Sequence, residues 1–178
     1  DSVVVNQQTL TSAPKRYSYV LLNKPVGYIC SRKQQGETPT IYALLPHHMQ
    51  HLKVAGRLDK DSQGLVLLTD DGDKIFQLTH PKFGKQKVYT VGLNKPLAPA
   101  DQKKVMSGVD LEDGISKFQV SKVQSKQPNR YKVIMAEGRN RQIRRTFKVL
   151  GYTVTYLERT ALGTYKLDGI TDGKYLQI

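Results

Sequence analysis

Two aspartates stand two residues apart in the segment GRLDKDSQGLVLLTDDG, residues 56–72, where a polar turn runs into an apolar stretch. Asp59 and Asp61 could ligate a metal, work as a paired general acid and base, serve a turn, or attack a substrate. A calcium loop fits poorly. Acids at its first and third positions and glycine at its sixth match the pattern, but Gln63 stands at the fifth and residues 65–68 are apolar where oxygen ligands belong. Zinc fits no better, because Cys30 and the scattered His47, His48, His51 and His80 make no closed ligand set, so no metal is expected. On a strand, residues two apart share a face about 7 Å apart, within reach of inverting glycosidase chemistry. Asp61 reads as the residue that serves the DSQG turn. Asp59 is left without a structural task.

The second constellation is basic. GRNRQIRR, residues 138–145, carries Arg139, Arg141, Arg144 and Arg145. Ile143, Phe147 and Leu150 follow at helical spacing and Gly151 stands where a helix would stop. On that helix Arg141, Arg144, Arg145 and Lys148 flank the apolar stripe. A solvated face is the ordinary meaning of such a run, but the planar guanidinium fork suits phosphate, and arginine dominates here. A phosphate-contacting surface is the expectation. In QKVYTVGL, Lys87 and Tyr89 share one strand face, so a site that receives one receives the other; ordinary sheet packing of Tyr89 stays equally open. In LNKPVG, Lys24 precedes a fixed turn and serves either a phosphate or the turn itself.

The elements that must position these residues follow from composition and period. The chain has 178 residues, enough for one domain or one domain with two lobes. Lys and Arg exceed Asp and Glu by 28 to 15, a net charge of +13. Such self-repulsion calls for a polyanion, and nucleic acid is the partner expected. A membrane surface is not, because no long basic amphipathic helix and no membrane-length apolar run is present. A single cysteine fits a reducing cytoplasm.

Strands are predicted over YSYVLLN, GLVLLT (buried on both faces), QKVYTVGL, YTVTYLE, GTYKLDGI and KYLQI, and SKFQVSKVQS with NRYKVIMAEG reads as a hairpin around KQPN. DDG at 70–72 turns the chain, and KIFQLTHP is a short helix or an extended piece. TIYALL reads as a short helix, PADQKKVMSG as a helix between Pro99 and Gly108, and NRQIRRTFKVLG as the arginine helix. The class is α+β with a mixed, mostly antiparallel sheet. DSVVVN reads as a strand, and TSAPKR, residues 11–16, has linker composition.

Four of these stretches, LNKPVG (22–27), GRLDKDSQGLVLLTDDG (56–72), LTHPKFGKQKVYTV (78–91) and EGRNRQIRRTFKVLG (137–151), resemble in order the pseudouridine synthases, in their RsuA-type ribosomal RNA branch. The resemblance implies the pseudouridine synthase fold, with two lobes around a central cleft over residues 19–178. Residues 1–18 look like the remnant of a small S4 RNA-binding domain and a linker. It further implies that Asp59 is the catalytic aspartate, Tyr89 the tyrosine that packs on the target base, and Arg144 the basic partner of the aspartate. Arg57 would help extrude the nucleotide, and Arg141 stands where the related large-subunit branch often has histidine. Lys24, Lys87, Arg139, Arg141 and Arg145 complete the expected RNA contacts. Pseudouridine formation breaks the N1–C1′ bond and rejoins uracil through C5, so no cofactor or metal is implied, and one ionised carboxylate suffices, attacking C1′ or removing a ribose proton. A buried aspartate needs a nearby arginine to stay charged, and the tyrosine offers a stacking surface and a hydroxyl near C5. The motifs GRLDKDSQGL and LERT look more like enzymes acting on 23S than on 16S ribosomal RNA. A cytoplasmic monomer is expected.

Overall fold

The run Leu65–Val66–Leu67–Leu68 has no polar face to offer water, and in this computed structural model all four side chains are fully buried. The structure describes residues 14–178, together with the backbone pairing of two earlier strands, β1 (Ser2–Val5) and β2 (Gln8–Thr11), which form an antiparallel hairpin. The linker expected over residues 11–16 and the S4 remnant over 1–18 therefore fall partly outside the described residues.

Along the chain follow β3 (Tyr19–Lys24), β4 (Lys53–Ala55), β5 (Gln63–Thr69), helix α1 (Gly72–Thr79), β6 (Lys87–Leu93) and helix α2 (Pro99–Ser107). The short pair β7 (Val109–Leu111) and β8 (Gly114–Ser116) precedes β9 (Gln119–Lys122), β10 (Arg130–Met135) and helix α3 (Gln142–Val149). The chain closes with β11 (Val154–Leu162), β12 (Tyr165–Lys166) and β13 (Tyr175–Gln177). The main sheet runs β13-β3-β5-β11-β6-β10-β9, with β4 also on β5 and β12 on β11. This is the mixed α+β fold expected.

One junction matters for the site. Every pairing in this sheet is antiparallel except β5 with β11, which is parallel and spans only Gln63–Glu158 and Gly64–Arg159. The pairing is short because β4 takes the rest of that edge of β5, from Lys53 opposite Thr69 to Ala55 opposite Leu67. The two halves of the sheet thus meet over two residue pairs, and the connection between β4 and β5 emerges beside them. Gly64 makes the approach possible: its φ is +108°, and a Cβ there would lie 2.3 Å from the Arg159 carbonyl oxygen.

Packing on both faces of β5 holds the junction. Leu65 and Leu67 meet Leu21, Ala55, Leu78 and Leu162 on one side, while Val66 and Leu68 meet Val20, Leu22, Ile41 and Leu52 on the other. Each aliphatic side chain so buried stabilises the fold by about 1.5–3 kcal/mol.

The arginine helix ends as its sequence predicts. Gly151, at φ +90°, donates to the Lys148 carbonyl at 3.0 Å and Tyr152 N–H donates to Phe147 at 3.0 Å, the paired bonds of a glycine-terminated helix. Three readings are refined, and three strands went unforeseen. DDG does more than turn the chain, because Asp71 caps α1 by accepting from Lys74 N–H at 3.2 Å. TIYALL closes a single 3-10 turn, Ile41–Leu44, since Pro46 stops its continuation. GTYKLDGI keeps only the two residues of β12 in strand. Strands β4, β7 and β8, of three residues each, were not foreseen.

Candidate active site

The β4–β5 connection, α3, and the facing side of β6 and β11 enclose a cleft of about 740 Å³. Asp59 opens the tight turn that leads into β5, with Ser62 N–H donating back to the Asp59 carbonyl at 3.1 Å. Asp59 and Asp61 therefore lie on a turn and not on a strand, which removes the shared-face geometry on which a glycosidase pair was considered. The Asp59 side chain is 41% exposed, not buried. It is the one acid among the described residues lining the cleft, against Arg57, Lys60, Lys87, Arg139, Arg141, Arg144 and Arg159.

The arginines distribute themselves differently from expectation. Arg141 Nη1 lies 3.7 Å from Asp59 Oδ2, while its fork donates to both oxygens of Asp61 at 2.8 Å. Arg144, expected beside Asp59, instead donates to the Asp61 carbonyl at 2.9 Å and Ser62 Oγ at 3.3 Å, with Nη1 3.6 Å from Asp61 Oδ2. Asp61 is thus no simple turn residue. It latches α3 to the aspartate turn, and the Arg141 hydrogen bonds hold its carboxyl below the usual carboxylate range. Arg141 itself sits in the left-handed region, φ +48°, ahead of the first helical residue.

Arg139 and Arg145 converge on Asp113, in the turn between β7 and β8. Arg145 grips both carboxylate oxygens at 2.8 and 2.9 Å, and Arg139 reaches Oδ1 at 2.9 Å and the Ile115 carbonyl at 2.9 Å. Gln142, buried below them, donates to Glu137 Oε1 at 2.7 Å and Ser116 Oγ at 3.0 Å. Arg57 is exposed.

Lys24 takes the turn role that its sequence left open beside a phosphate contact. It is fully buried, and its amine donates to the carbonyls of Pro25, Lys60 and Ser62 at 2.8, 3.3 and 2.7 Å. Lys24 thus holds the aspartate turn from below. Burial also pushes its pKa down to about 8.

The cleft floor is the inward side of β6. Tyr89 is 8% exposed and lies across from Arg159 of β11 and Val133 of β10. Lys87, on the same side of the strand, lines the cleft as well. Burial and then the nearby Arg159 charge hold Lys87 below an ordinary lysine. Sequence reading missed Arg159, the largest fully buried side chain. Its Nε donates to the Leu65 carbonyl at 2.9 Å and Nη2 to Gly56 at 2.6 Å. It therefore ties together the two ends of the segment that carries Asp59. The signal was present: in VTYLERTAL the strand period puts Arg159 on the inward side with Leu157.

Among the described residues no cluster of three His, Cys, Asp or Glu side chains could hold a metal ion. The site offers one carboxylate, a buried tyrosine and a ring of cations, a set able to bind a polyanion and act on a group placed against Asp59.

A family model described as RNA pseudouridylate synthase matches residues 18–148. An uncharacterized RNA pseudouridine synthase of Aquifex aeolicus is 37% identical over 87% of this chain and 65% of its own length. Ribosomal small subunit pseudouridine synthase A of Yersinia pestis is 35% identical over 88% of this chain and 67% of its own. The chain thus spans about two thirds of the length of these curated relatives. A crystal structure of a pseudouridylate synthase superposes with a TM-score of 0.83 at 32% identity, over 96% of this chain and 73% of that one.

Proposed function

This chain belongs to the RNA pseudouridylate synthase family, and on that premise we propose that it converts a uridine of ribosomal RNA to pseudouridine with Asp59 as the reacting carboxylate. The observation that carries this reading is that Asp59 is the one acid among the described residues lining a cleft otherwise ringed by cations. An RNA strand enters such a site through its phosphates and meets one group able to act as nucleophile or base. Asp59 either attacks C1′, displacing N1 and forming an ester that C5 then displaces, or takes a ribose proton that is returned once C5 has bonded to C1′. In both routes the N1–C1′ bond breaks, the uracil turns, C5 bonds to C1′, the C5 proton is lost and N1 gains one. Arg141 places a guanidinium 3.7 Å from the Asp59 carboxylate. Arg144, fixed on the neighbouring turn, adds a second permanent positive charge. Tyr89 supplies a wall for the flipped base, and Lys87 stands beside it. Arg57, exposed at the mouth, is placed to enter the RNA stack. Flipping costs a few kcal/mol, offset by phosphate contacts along the cationic rim.

The motif reading favours 23S RNA, whereas the relative from Yersinia pestis carries a small-subunit name; both RNAs are therefore substrates in the test. Tritium release from 5-³H-uridine transcripts of 16S and 23S RNA is measured for wild type and Asp59→Asn. Release by wild type, with a loss of at least about a thousandfold in the variant, supports the reading and names the subunit. Release undiminished in Asp59→Asn removes Asp59 from the chemistry.

A further inference from the structure

Two phenylalanines stand in water beside the cleft: Phe76 is 47% exposed and Phe83 is 39% exposed. Their rings meet edge to face with centroids 5.5 Å apart, and His80 joins them at 4.8 Å from Phe76 and 6.5 Å from Phe83. The Lys82 amine lies 5.0 Å from both phenylalanine centroids. The backbone holds this group in place. Helix α1 carries Phe76, and the 3-10 turn Pro81–Phe83 brings Phe83 back over it. That turn is fastened by Lys82 N–H donating to His80 Nδ1 at 3.2 Å, and Gly84 leaves it with φ +54°.

Position and charge say what covers the cluster. Ile75, Leu78 and Thr79 of the same helix line the cleft, so the rings stand just outside its rim. From residue 73 to 85 the chain has Lys74, Lys82 and Lys85 against Asp73 alone. Pulling one nucleotide out of an RNA stack leaves its neighbours with bare π-faces and their phosphates close by. Exposed rings flanked by lysines match both features, whereas ordinary solvent matches neither.

We propose that Phe76, His80 and Phe83 form a stacking platform for an unpaired RNA base next to the flipped uridine, with Lys82 and its neighbouring lysines on that nucleotide's phosphates. This rests on the RNA reading above and adds a contact outside the reacting site. A ring, not apolar bulk, is what the platform needs. Phe76→Leu/Phe83→Leu removes the rings while keeping apolar side chains, and Phe76→Tyr/Phe83→Tyr keeps the rings.

The test measures binding of a fluorescein-labelled, mixed-sequence single-stranded RNA, and of the same strand in duplex, by fluorescence anisotropy. The leucine variant should bind the single strand about tenfold more weakly than wild type, the duplex within about twofold, and the tyrosine variant should bind both within about twofold. Unchanged single-strand binding by the leucine variant overturns the proposal and leaves the patch to a protein partner. Equal loss on single strand and duplex also overturns it, as does loss in the tyrosine variant. Thermal melting of each variant checks the fold. The binding comparison needs no turnover, so wild type silent in tritium release would sink the isomerase reading while the platform stood or fell on its own data.

Discussion

Two sets of cations surround the same aspartate and are neutralised in opposite ways. The run from Arg139 to Arg145 lies near the surface, and acids hold much of it: Asp61 takes Arg141 and Arg144, and Asp113 takes Arg139 and Arg145. Lys24 and Arg159 are buried and, among the described residues, have no carboxylate within 4 Å; backbone carbonyls hold them instead. Arginine density therefore marks a latch that fixes α3 across the cleft, while the cations that shape the aspartate segment are single residues from distant strands. Burying a charge without a counter-ion costs several kcal/mol. Here it is tolerated because carbonyls that would otherwise be orphaned accept from it.

Arg159 gives the sharpest way to break the comparison. Arg159→Met removes the charge but leaves the buried Leu65 carbonyl and the part-buried Gly56 carbonyl without this donor, at about 1–3 kcal/mol for the buried one. We expect a net destabilisation of about 2–3 kcal/mol in urea melts, after relief of the desolvation cost. Turnover should fall further than stability explains, in kcat more than KM, with Arg159→Lys recovering part of it. A variant with wild-type stability and turnover would show that carbonyls alone hold the segment.

Lys24 yields a pH signature. Its folded pKa, about 8, lies below the 10.5 of a free lysine, so the unfolded chain holds the proton more tightly between those values. Stability should be lowest below about pH 8 and rise as pH climbs from 8 towards 10, by at most about 1.4 kcal/mol per unit. Lys24→Met should lose that slope while losing stability at every pH. Stability flat across that range in wild type would deny the burial of this amine.

The smallest effect tests the latch. Asp61 has a folded pKa below its unfolded value, so its contribution is present above about pH 4 and lost as pH falls through the folded pKa. With nearly half its side chain exposed, solvent screens the pair to roughly 0.5–1 kcal/mol. Asp61→Asn should cost that much at pH 7 and progressively less as pH falls from about 4 through the folded pKa, and salt should shrink the difference. Because Arg141 then has Asp59 as its remaining acid, activity should survive far better than in Asp59→Asn. Loss of activity equal to that of Asp59→Asn would make Asp61 part of the chemistry.

How much of this was legible depended on period. The central strand, the hairpin of β9 and β10, and α3 with its glycine stop each have enough residues to repeat a pattern, and each lies where that pattern put it. β4, β7 and β8 show no repeat, and the β5–β11 junction depends on an edge that β4 leaves free. Asp59 and Tyr89 could be picked out because their motifs are local. Asp61 was misread because its partner, Arg141, lies 80 positions away in the chain.

Sequence by itself determined the residue types that gather in the candidate site, the excess of positive charge and the elements long enough to show a period. Tertiary structure alone decided which arginine meets which acid, that Lys24 faces carbonyls, and that Arg159 closes the Asp59 segment. The reason is physical. A periodic pattern states which side of an element faces inward, whereas pairing and burial of charge depend on through-space distances between elements remote in the chain.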